Sequence, residues 1–489
     1  MKYALVSLGC QMNLSDSERV GAVLESIGYT KTEYEEEAEI LGLVACSVRQ
    51  RAIDRAIGRI RKWNSWKNRR NLLTFATGCV LPADRDQFAD LFDLFFRINE
   101  LPRLPEMIRQ YGVSTPISSE YGTEILVQDL TSSTASLVPE AAIVPLTLPE
   151  KEAIPAKGAP PDIESDIGFW NIRPAYASGF DAYVPIQNGC DKFCSFCAVP
   201  FTRGREVSRP SSEILEEVEG LVTKGYKSIT LLGQNVNSYG LDNPSEEIGF
   251  AELLTQIGRL EGRTESGFWT YFTSPHPRDM SREVIGTIAQ YPNLAKQIHL
   301  PLQSGDDKIL IRMNRNYSVD RYREVVSNIR EIIPGATLFT DIIVGFPGET
   351  EEQFERTREA MIEFRYNMAY IAMYSPRPGA RSSRWEDDIP HDEKRRRLHE
   401  LSNLLKTQSL EYNQSLIGST QRVLVQARDR DRRYLTGRNE GKIIVRFPHD
   451  DDSLIGSFVQ VDVQEAATMS VQGTLATAVP AAIESVTVR

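Results

Sequence analysis

Histidine is scarce, with five residues in 489, and cysteine is limited to six. Long apolar runs are missing: stretches such as Ile40 to Ala45 and Ile342 to Val344 fall far below the ~20 residues that cross a bilayer, so no membrane partner is expected. The N-terminal residues turn polar at Gln11 and lack a small-residue cleavage site, which excludes a secretion signal and predicts a cytoplasmic protein. In that reducing compartment six cysteines read as metal ligands or catalytic groups rather than three disulfides. A net charge of −11 excludes nucleic-acid binding over the whole surface. Local basic faces stay open, because attraction to phosphate is screened within ~10 Å and depends on where the charges sit.

Charged residues make up 25% and hydrophobic residues 41%, the balance of a soluble globular protein. The length predicts about three domains. In the first, Tyr3 to Leu8, Glu39 to Ala45 and Leu72 to Ala76 read as buried parallel strands separated by crossover helices, an open α/β sheet over residues 1–115. Residues 116–175 lose periodicity and carry Pro145, Pro149, Pro155, Pro160 and Pro161, as a linker or insertion does. Strands return at Tyr183 to Gln187, Ser228 to Leu232, Phe268 to Phe272, Gln297 to Leu302, Leu338 to Val344 and Met368 to Met373. With helices between them they predict a partial (βα)6 TIM-like barrel over 176–412, with chemistry at the C-terminal strand ends. A charged helix, Asp392 to Ser409, closes that part. Short alternating strands at Gln421 to Gln426, Lys442 to Phe447 and Ser457 to Val463 then predict a small all-β barrel over 413–478, followed by a tail, 479–489. The fold class is α/β with this appended barrel.

The sharpest chemical signal is Cys190-Asp-Lys-Phe-Cys194-Ser-Phe-Cys197, directly after the first strand of the barrel-like part. Three thiolates on one loop hold three corners of a cubane iron–sulfur cluster and leave the fourth iron open to a ligand with amino and carboxylate groups. Zinc is the competing reading, but it closes with four ligands, and no further Cys or His lies nearby. A second trio, Cys10, Cys46 and Cys79, follows the three N-terminal strands, so a parallel sheet would bring its sulfurs to one edge. Taken alone, three buried core cysteines are the simpler reading of that trio.

The triplet with Phe196 before its last cysteine resembles the signature of the radical S-adenosylmethionine superfamily. The words Asn188-Gly189-Cys190 and Val199-Pro200-Phe201-Thr202-Arg203-Gly204-Arg205-Glu206 resemble its methylthiotransferase branch. So do Gly233-Gln234-Asn235-Val236-Asn237, Thr273-Ser274-Pro275-His276-Pro277, His299-Leu300-Pro301-Leu302-Gln303-Ser304-Gly305, Asp341-Ile342-Ile343-Val344-Gly345-Phe346-Pro347 and Tyr374-Ser375-Pro376-Arg377-Pro378. Beside Gly9-Cys10-Gln11-Met12-Asn13, Asp16-Ser17-Glu18 and Cys46-Ser47-Val48-Arg49, the second trio also reads as a cluster site. The chain departs from the family where Asn-Thr usually precedes the second cysteine: Val44 and Ala45 stand there, removing a polar group beside the ligand.

The resemblance implies two [4Fe-4S] clusters, an auxiliary one on Cys10, Cys46 and Cys79 and one on Cys190, Cys194 and Cys197 that binds S-adenosylmethionine. It places Phe196, Gln234, Asn235, Ser274, Gln303, Ser304, Arg315 and Gly345 about the cofactor. The implied reaction puts a methylthio group on carbon 2 of isopentenylated adenosine beside the tRNA anticodon. Partners would be the anticodon stem-loop, a flavodoxin or ferredoxin-type reductant and a sulfur donor, with the chain a monomer. Relatives acting on threonylcarbamoyl adenosine or on a ribosomal protein are alternatives, as is a non-catalytic RNA-binding protein with a structural metal.

The C-terminal barrel resembles the TRAM module in Gly437-Arg438-Asn439-Glu440 and Arg446-Phe447. Arg438 and Arg446, with Tyr434 and Phe447, offer a basic and aromatic RNA surface. A second basic stretch holds Arg51, Arg55, Arg59 and Lys62 at helical spacing with only Asp54 opposing, and Trp63 and Trp66 are candidates to stack on bases. Ordinary solvated helix and barrel faces are the alternatives in both places.

Overall fold

A computed structural model describes residues 1–47, 50–111, 168–264 and 266–476. Most of the expected linker, and the 479–489 tail, lie outside them. The chain forms two compact units: Met1–Ala177 with Asn188–Arg209 and Arg377–Ser383, and Ser178–Gln187 with Pro210–Pro376 and Arg384–Arg489.

In the first unit, strands β1 (Lys2–Ser7), β2 (Thr30–Lys31), β3 (Ile40–Cys46), β4 (Leu73–Cys79) and β5 (Leu94–Phe95) form one parallel sheet in the order β2-β1-β3-β4-β5. β3 is buried at every position, as a central parallel strand covered on both faces must be. On one face Val20, Val23 and Leu24 of helix Gln11–Ser26 pack on Val44 and Phe75. On the other, Ile60 and Trp63 of helix Gln50–Trp66 pack with Phe88 on Leu41, Leu43 and Ala76. Trp63 is fully buried, so the expectation that it stacks on unpaired bases is corrected. The expected strands are present; β2 and β5, two residues each, are too short to show a period.

Two short strands follow, β7 (Gln187–Asn188) and β8 (Val207–Ser208), after β6 (Asp181–Pro185). In the second unit β6, β9 (Ser228–Leu232) and β10 (Trp269–Phe272) pair in parallel, as do β11 (Gln297–His299), β12 (Thr337–Val344) and β13 (Met368–Met373). An isolated parallel bridge pairs Thr270 of β10 with Leu294, three residues before β11, and within the two sheets the six strands run in chain order as expected for a partial barrel. Helix His391–Ser415 extends six residues beyond the expected end.

The C-terminal part is a closed barrel of β14 (Thr420–Arg428), β15 (Tyr434–Asn439), β16 (Ile444–Pro448), β17 (Phe458–Ala466) and β18 (Ser470–Leu475), in the order β14-β15-β16-β18-β17. Val423, Val425, Leu435, Val445, Phe447, Val461 and Val463 fill it. Phe447 is therefore core and not a stacking platform, a second correction. No helix among the described residues is long and apolar enough to cross a membrane.

Candidate metal centres

Cys46 and Cys79 are the last residues of adjacent strands and direct register partners. Cys10 is the N-cap residue of helix Gln11–Ser26. The turn before it needs Gly9: its φ is +128°, and a Cβ there would lie 2.7 Å from the Cβ of Cys46 and 3.4 Å from its Sγ. The three sulfurs interact electrostatically, and burial pushes the Cys79 thiol up to about 12, with Arg203 pulling the other way. Spacing of three along the helix puts Asn13 and Asp16 on the face of Cys10. Asn13 Nδ2 donates to the carbonyls of Leu8 and Ala45, both at 2.7 Å, locking the helix start onto the ends of two strand regions.

The second trio also belongs to the first unit. Cys190 is buried, Cys194 and Cys197 are half-buried, and their mutual repulsion adds to the burial that raises the Cys190 thiol to about 12. The loop is folded tightly. Gly189 has φ +79°, and a Cβ there would meet the Arg205 carbonyl oxygen at 1.9 Å. The Cys190 amide donates to Gly204 and the Ser382 amide to Ser195.

None of the six cysteines forms a disulfide, which removes the disulfide reading. Among the described residues no three Cys, His, Asp or Glu side chains converge closely enough to hold a single metal ion. A tetrahedral zinc, with sulfur at about 2.3 Å, needs that convergence. A cubane binds each cysteine to a different iron, so its sulfurs stand further apart. Two sets of three thiols with no fourth ligand among the described residues fit such a cluster, and the buried Thr77 Oγ1, two residues before Cys79 on the same strand face, has no hydrogen-bond partner among the described residues, one that a bound polar group would supply.

Three residues beside the first trio were given no role from sequence. Arg203 places Nε 2.9 Å from Cys79 Sγ and pairs with Asp16, both nearly inaccessible. Arg377 is partly buried; desolvation pulls its guanidinium down while Cys46 and Asp84 pull it up, which places it near Cys46. Arg203, Asp16 and Arg377 all lie in family-like words, but their meeting is not encoded in any local spacing.

Comparison with known proteins bears on what these centres serve. The Radical SAM superfamily matches residues 184–361, an uncharacterized protein family, UPF0004, matches 2–96, and the TRAM domain matches 414–476. A protein of Dictyoglomus thermophilum named tRNA-2-methylthio-N(6)-dimethylallyladenosine synthase is 36% identical over 477 residues, 96% of this chain and 98% of that one. One of the same name from Geobacter metallireducens is 36% identical over 473 residues, covering 96% and 97%. The chain belongs to the tRNA-2-methylthio-N(6)-dimethylallyladenosine synthase family. It is thus a radical S-adenosylmethionine enzyme, with an iron–sulfur cluster and S-adenosylmethionine as cofactors. A structure of the radical S-adenosylmethionine methyltransferase TsrM from Kitasatospora setae superposes with a TM-score of 0.49 at 12% identity, over 86% of this chain and 78% of that one, too loosely to carry an argument.

The remaining expected cofactor residues fall into two groups. Phe196, on the cysteine loop, is half-buried. In the second unit Ser274, Gln303 and Gly345 follow the ends of β10, β11 and β12 with left-handed φ of +56°, +69° and +68°, and Gln303 is bridged to Ile342 of β12. Gln234 is half-buried, whereas Asn235 donates to Ser238 Oγ at 2.6 Å and is fully enclosed. Ser304 accepts from the Asp306 amide and faces Thr357 Oγ1, and Arg315 NH2 donates to the Pro301 carbonyl. Those last three side chains are engaged in holding their loops.

Of the expected RNA contacts, Arg55 and Arg438 are exposed. Arg59 is paired with Glu35, and Lys62 lies 3.5 Å from Glu35 and 3.6 Å from Glu36. Asp54 is therefore not the sole opposing charge: two carboxylates from a segment remote in sequence neutralise that helix face. Arg446 is held by Asp429 at 3.0 Å and lies over the Tyr434 ring.

Proposed function

We propose that this chain methylthiolates carbon 2 of an N6-dimethylallyl adenosine in tRNA. The observation that carries the reading is the pairing of full-length relatives of that name with two separate trios of thiols, each short of a fourth protein ligand among the described residues. Cys190, Cys194 and Cys197 would hold the cluster that binds S-adenosylmethionine, and Cys10, Cys46 and Cys79 an auxiliary [4Fe-4S] cluster. When bound, these groups supply the electron that splits S-adenosylmethionine and the sulfur that is transferred.

The chain's own share is positioning and exclusion of water. Residues 1–115 present the auxiliary thiols on a sheet edge; the cofactor residues are Phe196 in the first unit and Gln234, Ser274, Gln303 and Gly345 in the second, where Asn235, Ser304 and Arg315 hold the loops that carry them; and residues 413–478 hold the anticodon stem-loop. Arg438 and Arg55 carry exposed charge toward phosphate, whereas Arg59, Lys62 and Arg446 are already paired and contribute less. The reading also takes a flavodoxin or ferredoxin-type reductant and a separate sulfur donor as partners, in the cytoplasm, with the chain acting as a monomer.

Mass spectrometry of tRNA nucleosides from a strain lacking the gene tests it. Accumulation of dimethylallyl adenosine without its methylthio form, restored by the wild-type gene, is expected. Loss of methylthio threonylcarbamoyl adenosine instead would transfer the chain to that substrate.

A further inference from the structure

A buried guanidinium reaches the auxiliary trio from the segment that carries the other trio. Arg203 ends the short helix Val199–Arg203, six residues after Cys197, and its side chain is 3% exposed. Its fork is filled in four directions. Nε donates to Cys79 Sγ at 2.9 Å, NH1 to Asn188 Oδ1 at 3.1 Å, and NH2 to Asn13 Oδ1 at 3.3 Å and to Asp16 Oδ2. Asp16 is 1% exposed, so the counter-charge is as dry as the cation.

Removing two charges from water is costly unless each is well partnered. A fold that needed only to cover Cys79 would do so with an apolar side chain. The Arg203 fork instead aims one N–H at the sulfur, and Asp16 takes the opposite corner. A hydrogen bond to a ligating sulfur and a nearby positive charge both favour the reduced, more negative state of an iron–sulfur cluster. Asp16 opposes that effect and fixes the arginine's aim. We infer that Arg203 and Asp16 form an opposed pair of positioning residues that sets the reduction potential of a cluster on Cys10, Cys46 and Cys79, Arg203 raising it and Asp16 lowering it.

This rests on the reading of those cysteines as cluster ligands, and the test separates the two. The full chain with Cys190, Cys194 and Cys197 changed to Ala isolates the auxiliary site. After anaerobic reconstitution its iron is counted, and dithionite titration followed by electron paramagnetic resonance gives its one-electron midpoint potential. If this background binds no cluster, the ligand reading fails and the inference with it. If it binds one, Arg203→Gln is expected to lower the potential, Arg203→Lys to lower it less because the charge remains while the aimed N–H is lost, and Asp16→Asn to raise it. The opposite signs are the signature, since a purely structural role would shift both sites the same way. Equal potentials in all variants, shifts of one sign, or loss of the auxiliary iron from every variant would overturn the inference while leaving the ligand reading intact.

Discussion

Cys46 and Cys79 stand side by side as the final register pair of β3 and β4, each closing a strand that is buried at every position but Gly78. Two thiols are thus fixed by the sheet ladder itself, before any metal is considered, and Cys10 is brought to them by one helix start. Sites held by strand ends are more rigid than sites on loops, which suits a centre that must present sulfur in one direction.

Gly9→Ala tests how much that arrangement depends on one turn. A methyl group would collide with Cys46, and φ +128° is strained for any side chain, at a cost of about 1–3 kcal/mol. The expected outcome is a lower melting temperature together with loss of about four of the irons bound on reconstitution, with cleavage of S-adenosylmethionine retained. Full iron content would show that the turn is adaptable.

A charge comparison tests the RNA surface. Arg438→Ala should weaken tRNA binding and reduce the slope of log affinity against log salt by about one. Arg59→Ala, whose guanidinium is committed to Glu35, should leave that slope unchanged while lowering stability. Filter binding at several salt concentrations reads both. Equal slopes for Arg438→Ala and wild type would remove that residue from the interface.

Lys442 gives a pH dependence with a defined sign. Burial, then the charge of Arg438, pushes its ammonium down to about 8, against the pull of Asp181, and its Nζ lies 4.2 Å over the Tyr271 ring. An unfolded chain keeps that proton to about pH 10.4. Between about pH 8 and pH 10.4 the unfolded state therefore binds more protons, and the native state gains stability as pH rises; below about pH 8 the buried charge is a constant penalty. Lys442→Met should raise the melting temperature at neutral pH and flatten its rise across that window. An unchanged pH slope would show that Lys442 is well solvated.

Much of this was legible in the sequence, for physical reasons. Buried parallel strands read as short apolar runs, and because such strands share a direction, three that end in cysteine must bring the sulfurs to one edge. β15 and β18 carry a weak strand signal, because Tyr434–Asn439 and Ser470–Leu475 each hold a mid-strand glycine and little β-branched content. Trp63 and Phe447 read as RNA contacts in the sequence because an aromatic beside basic residues looks the same whether it faces solvent or core. Glu35 against Arg59 and Asp16 against Arg203 were invisible for a different reason: the partners lie 24 and 187 positions apart, and no local period reports them.

The iron count of reconstituted protein, with Mössbauer spectra, tests the central claim most directly. The wild-type chain should bind about eight irons as two [4Fe-4S] clusters, and about four should remain when either trio, Cys10, Cys46 and Cys79 or Cys190, Cys194 and Cys197, is changed to Ala. A wild-type chain that binds about four irons, all lost with one trio and none with the other, would contradict it.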